Sequence, residues 1–184
     1  MRIIMSFVMS MLPYMLFAIP LYIIARCILL KIRRIQTNWY RETVMLLFAI
    51  FLVGLASQTI VPGIVSNGVH STNFVPFRMV TEIYSEVFLK GNISYLLINI
   101  FGNIIMFIPI GFTIPLLWRA SARRTLIIGA LISLTIELCQ LFMLRGTDVD
   151  DLLLNTAGVF LGVLLSGIVK KHCCKLAEKL SAKD

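Results

Sequence analysis

Glu137 and Gln140 lie inside one apolar run, and Asn155 lies inside the next. The short connection between those runs crowds together Arg145, Asp148, Asp150 and Asp151. A charge in the middle of a lipid-spanning helix costs roughly 3 kcal/mol on insertion scales, so such residues face protein or water and mark functional paths. Carboxylates beside amides can hold a cationic or polar group. They can ligate a hard cation through oxygen, or exchange protons with a substrate. Acyl or peptidyl transfer is poorly served: that chemistry needs a nucleophile beside a base. The two histidines are His70 and His172, and Cys139 has no histidine near it in sequence. Neither a zinc motif of the HExxH type nor a Gly-rich phosphate loop is present. No metal and no cofactor are therefore expected, and an enzyme is the less favoured class.

The elements that must position these groups are membrane spans. Of the 184 residues, 59% are hydrophobic and 14% charged, with mean hydropathy +0.92. A soluble domain of this size has too little interior to hide that much apolar surface. The apolar residues come in blocks near the ~20 residues that a helix needs to cross the hydrocarbon core. Five spans are expected, at about 5–30 (kinked by Pro13 and Pro20), 44–61, 93–118, 125–144 and 152–169. The N-terminal run is too long for a signal-peptide core and lacks a small-x-small cleavage site, so it reads as a retained span. Residues 1–184 are read as a single all-α membrane domain, a polytopic helical bundle. Cys27, Cys139, Cys173 and Cys174 show neither a disulfide framework nor metal spacing.

The net charge of +8 does not point to nucleic acid, because the basic residues sit between the apolar blocks. Lys31, Arg33, Arg34 and Arg41 separate spans one and two; Arg119, Arg123 and Arg124 separate spans three and four. Residues 170–184 form a basic tail. The positive-inside rule then places the N-terminus outside and this tail in the cytoplasm. The long outer segment 62–92 contains Asn73-Phe-Val-Pro76-Phe, then a stretch in which Val80, Ile83, Tyr84, Val87 and Phe88 repeat at helical spacing. That stretch reads as an amphipathic helix lying on the outer leaflet.

Three spans carry small or polar residues on one face. Asn99 and Asn103 are four apart in span three. Gly129, Ser133, Glu137 and Gln140 share a face of span four, and Asp151, Asn155, Gly158, Gly162 and Ser166 share one of span five. At ~1.5 Å rise per residue, Glu137 lies ~10 Å below the outer boundary. Asn99, Asn155 and Gln58 fall in the same half of the membrane. A crevice open to the outer face is expected from that agreement. The plainer alternative is packing: interhelical amide bonds, a close crossing at Gly158 and Gly162, and aspartates capping span five. For Glu137 the partner is a proton, Arg145 or Arg78.

The ordered motifs Asn73-Phe-Val-Pro76-Phe, Asn99-Ile-Phe-Gly-Asn103, Pro109-Ile-Gly111-Phe, Glu137-Leu-Cys-Gln140, Arg145-Gly-Thr-Asp-Val-Asp150-Asp151 and Asn155-Thr-Ala-Gly158 resemble the VanZ-like family. The likeness runs from about Asn73 to Gly162, while spans one and two fit the family only in hydrophobicity. It implies a protein of the bacterial cytoplasmic membrane. The family is named for a member associated with resistance to the glycopeptide teicoplanin. What it implies here is an integral membrane protein that lowers susceptibility to glycopeptides or related envelope-active antibiotics.

Binding candidates are Asn73, Asn99, Asn103, Glu137, Gln140, Arg145, Asp150, Asp151 and Asn155, with Pro76, Pro109, Gly111, Gly158 and Gly162 as structural positions. Beyond the bilayer, the expected partners are the glycopeptide itself or a lipid-linked wall precursor, with no nucleic acid. Two other readings stay open. One is an enzyme acting on a lipid-linked envelope substrate with Glu137 and Asp151 as acid–base groups. The other is a small proton-coupled transporter.

Overall fold

The computed structural model describes residues 2–34, 37–59, 72–142 and 147–181, with side chains from Met9 onward. Five helices among them are long and apolar enough to cross a membrane. α1 (Arg2–Arg33) and α2 (Trp39–Thr59) form the first two. The third is a continuous run, Ile93–Trp118, in which α4 (Ile93–Tyr95) passes through a π-helical segment, Leu96–Phe101, into α5 (Gly102–Trp118). α6 (Ala122–Phe142) and α7 (Val149–His172) complete the set. The expected span positions hold to within a few residues. Pro13 and Pro20 lie inside α1, which runs as one helix. Val61 and Leu144, the expected ends of spans two and four, fall outside the described residues.

The tightest pair in the bundle is α5 with α7. Gly111, Gly158 and Gly162 put the two backbones in direct contact. A methyl on any of them would overlap the carbonyl oxygen of Val159, Ile104 or Ile108 respectively. In lipid the hydrophobic effect gives helices little reason to associate, so close van der Waals packing across small residues has to hold them. Phe107, Ile110 and Val159 close this seam with essentially no exposure. Leu55, Ile114 and Ile136 extend it toward α2 and α6. Pro109 sits within α5.

The α1–α2 hairpin is held at both ends by polar bonds. Arg26 grips the Glu42 carboxylate through two bonds of 2.8 Å, and the Gln58 amide donates to Ser10 Oγ at 3.0 Å. Elsewhere α1 keeps an exposed apolar surface, including Leu16, Phe17 and Leu21, as a lipid-facing helix does.

The two ends of the bundle differ. One end carries the basic segments and a short helix, α8 (Cys174–Leu180). There Arg41 donates to the carbonyls of Leu117 at 2.7 Å and Leu180 at 2.8 Å. Asn38 donates to the Lys179 carbonyl at 2.6 Å, and Lys179 stands 4.7 Å from the centre of the Tyr40 ring. The basic tail thus begins as a helix folded back onto the bundle, with Leu180 and Ser181 buried. The opposite end carries the polar groups. There α3 (Arg78–Ile83) continues into a π-helical turn, Tyr84–Leu89. Val80, Tyr84 and Phe88 present an exposed apolar face, the surface an amphipathic interfacial helix requires.

Candidate functional site

Asn73 opens the site. Its backbone pairs with the α6–α7 connection: Asn73 N–H donates to the Thr147 carbonyl at 2.8 Å, and Val149 N–H donates back to the Asn73 carbonyl at 3.1 Å. The side chain uses both of its functions. Oδ1 accepts from Val75 N–H at 3.0 Å and Nδ2 donates to Asp148 Oδ1 at 2.8 Å. An amide is the side chain that offers a donor and an acceptor at once. Pro76 follows on an exposed stretch of the same strap.

Asp150 anchors the other half of that strap. Its two carboxylate oxygens accept from Phe77 N–H at 2.6 Å and Met79 N–H at 2.7 Å, and the residue is only 2% exposed. Phe77 sits in the left-handed region at φ 64, a conformation that costs a non-glycine residue roughly 1 kcal/mol or more. The carboxylate offsets that cost by taking the two amides that the turn turns inward. Asp148 caps α7, accepting from Asp150 N–H at 2.8 Å.

Glu137 is 5% exposed and accepts from Asp148 N–H through Oε2 at 3.1 Å. The two arginine partners considered for it resolve differently. Arg78 pairs instead with Glu82 at 3.0 Å, and Arg145 lies outside the described residues. The bond from Asp148 N–H lets Glu137 fasten the start of α7 to α6. Thr147 Oγ1 reinforces that junction by donating to the Glu137 carbonyl at 3.3 Å.

Under the strap lies a cavity of ≈ 210 Å³ whose polar lining comprises Glu82, Tyr95, Asn99, Asp148, Asp150 and Asp151. Met79, Ile100 and Leu154 supply its apolar walls. Among the described residues no lysine or arginine lines it. Tyr95 Oη donates to Glu82 Oε2 at 2.5 Å. Asn103 Nδ2 donates to Asp151 Oδ1 at 2.5 Å, and Asp151 Oδ2 has no partner among the described residues. Asn99 belongs to the π-helical segment before α5. The wider turn shifts the register of the face that reaches the cavity, as π segments at functional sites do.

Of the binding candidates, Asn99, Asp150 and Asp151 line this cavity. Asn73, Asn103 and Glu137 stand one bond behind it. Gln140 and Asn155 are elsewhere. Gln140 Nε2 donates to the Thr59 carbonyl at 3.0 Å, joining α6 to α2. Asn155 Nδ2 donates to Ser133 Oγ at 2.9 Å inside the α6–α7 contact. Sequence reasoning did not name Glu82 and Tyr95. Tyr95 stands four residues before Asn99, on the face of Asn99 and Asn103. Glu82 sits on the polar side of the amphipathic stretch, opposite Val80 and Tyr84. Those two spacings were the available signals. Among the described residues no group of His, Cys, Asp and Glu side chains is arranged to hold a metal ion.

The fold and the cavity define a class: a polytopic helical membrane bundle with a carboxylate-lined cavity at the end opposite its basic segments. The chain belongs to the VanZ/LLP1 family, whose profile matches residues 42–170. That region takes in α2 as well as the motif-bearing spans, so it reaches beyond the 73–162 stretch in which motifs are visible. Over 72 residues the chain is 36% identical to Protein VanZ of Enterococcus faecium, an alignment covering 38% of this chain and 45% of that protein. The match thus spans less than half the length of that relative. No solved structure matches the chain.

Proposed function

We propose that this protein lowers susceptibility to a glycopeptide of the teicoplanin type, or to a related envelope-active antibiotic. It would do so by binding a cationic group of the drug, or of a lipid-linked wall precursor, at the outer face of the bacterial cytoplasmic membrane. The observation that carries this reading is the cavity lined by Glu82, Asp148, Asp150 and Asp151, with no basic residue among the described residues of its lining. At ≈ 210 Å³ it is smaller than the ~300–1,000 Å³ of pockets that engulf drug-sized ligands. Its size suits an ammonium substituent with part of its stem. Asp150 is already committed to two backbone amides, and Glu82 to Arg78 and Tyr95. Asp151 takes one bond, from Asn103, and Asp148 takes the bonds from both Asn73 and Asp150 on Oδ1. Those two are the lining carboxylates with an oxygen left for a ligand among the described residues, and a partly desolvated pair strengthens as the local dielectric falls. The outer placement rests on the basic segments gathering at the other end of the bundle.

The test is the minimal inhibitory concentration of teicoplanin in cells expressing Asp151→Asn at wild-type membrane levels. Asparagine keeps the shape and the acceptor toward Asn103 while removing the charge, so protection falls toward that of cells without the gene. Full protection from this variant would overturn the binding site. A second reading, catalysis on a lipid-linked substrate, is favoured by the Tyr95–Glu82 hydrogen bond opening onto the same cavity as Asp151. Such an arrangement can move a proton. Mass spectrometry of wall precursors separates the two: precursors of unchanged mass support binding, and a modified precursor supports chemistry.

A further inference from the structure

At the opposite, basic end, we infer a second site, one that takes the phosphate of an anionic phospholipid head group. A cavity of ≈ 380 Å³ lies where α5, α7 and α8 meet. Arg119 and Lys170 supply its cations, and Ser181 its hydroxyl. Pro115, Leu116 and Ala177 make an apolar floor. Arg119 is the residue just past α5, in the left-handed conformation at φ 50. One of its terminal nitrogens is fixed on Ser181 Oγ at 3.0 Å, which leaves the rest of a five-donor guanidinium for a ligand. Ser181 is buried and Arg119 exposed, so a fixed hydroxyl holds a cation at the mouth of the cavity.

Depth makes the phosphate a lipid's. The cavity sits at the last residues of the third and fifth spans, which end at Trp118 and His172. Trp39 and Trp118 are both exposed at this end, as tryptophans at head-group level are. Basic pockets between spanning helices at this level bind anionic lipid head groups. The apolar floor under the cations would take the first carbons of the acyl chains. The α8 wall is anchored rather than loose, since Arg41 bonds the carbonyls of Leu117 and Leu180 together. The cavity therefore exists before any lipid arrives. Glu178 also faces it and opposes an anion, which supplies a sharp control.

The experiment is native mass spectrometry of the full chain, purified in detergent and given equal amounts of phosphatidylglycerol and phosphatidylcholine. Phosphatidylglycerol is expected to bind in excess. Arg119→Gln with Lys170→Gln weakens that binding roughly tenfold per charge-assisted bond removed. Arg119→Lys with Lys170→Arg retains it, and Glu178→Gln strengthens it. Equal retention of the two lipids, or unchanged phosphatidylglycerol binding in both the glutamine pair and Glu178→Gln, would overturn the site. Inorganic phosphate is the remaining arm: alone, it leaves the thermal midpoint where it was. A shift matching that of phosphatidylglycerol would reassign the site to soluble phosphate and overturn the lipid reading.

Discussion

Asp150 and Asp151 are chemically identical neighbours with opposite work. Asp150 spends both oxygens on the amides of Phe77 and Met79, whereas Asp151 spends one on Asn103. Asp150→Asn replaces one of those oxygens with an NH2 that meets an N–H donor head on. A buried donor left unsatisfied costs roughly 1–3 kcal/mol. Asp150→Asn therefore lowers the thermal midpoint of the purified protein and loosens the strap, read as faster proteolysis within 74–77. Asp151→Asn, by contrast, leaves that midpoint close to wild type. Equal midpoints for the two variants would remove Asp150 from its structural role. Asn73 makes the same point from the other side. Asn73→Asp keeps the acceptor for Val75 but sets a second carboxylate against Asp148, and is expected to destabilise by a similar amount.

A close crossing at Gly158 and Gly162 was readable in advance as the packing alternative, but its partner was not: the structure supplies α5, with Gly111 as the facing gap. Gly158→Ala and Gly162→Ala each force a methyl into the partner backbone, where overpacking costs roughly 1–3 kcal/mol. Both variants should lower the yield of folded protein in size-exclusion chromatography. Gly167, which faces open space, tolerates the same change. Equal yields for all three would contradict the crossing.

The spans were legible because lipid imposes one period and one length on every crossing element. The motif residues were legible as a set, but not their division of labour. Whether Asp150 or Asp151 lines a wall or holds a strap depends on which backbone amides lie within 3 Å of it, and no residue spacing records that. The π-helical turns were likewise invisible, since an i→i+5 register leaves no mark in a short apolar run.

In the second of the segments outside the spans, Glu86 is held below the ordinary carboxylate range by hydrogen bonds from Lys90 first and Asn92 second. A depressed value means the clasp contributes above the ordinary glutamate range and is lost as pH falls through the depressed one. The Glu86 carboxyl, followed by carbon NMR, accordingly titrates below an unperturbed glutamate. Lys90→Met returns it toward the ordinary value. A titration unmoved by that substitution would remove the ion pair as cause.

At the scale of the whole molecule, charge is biased by end among the described residues: arginines and lysines outnumber carboxylates around α8 at one, and carboxylates outnumber Arg78 and Lys90 around α3 at the other. That polarity sets both proposed sites, a cation site and an anion site on opposite faces of one bundle, and it requires a single orientation. Cys173 and Cys174 are free and exposed at the basic end, and Thr81 is exposed on α3 at the acidic end. In intact cells a membrane-impermeant maleimide should therefore label Thr81→Cys, placed in a background lacking the other cysteines. A chain keeping Cys174 alone should be labelled only after the membrane is permeabilised. The positive-inside rule weighs lysines and arginines close to the spans, and three separate basic segments on one side make the expected outcome strong. The reverse pattern would turn the acidic cavity to the cytoplasm. No extracellular glycopeptide could reach it there, and the resistance reading would fall together with the topology, even if the phospholipid site at the basic end survived.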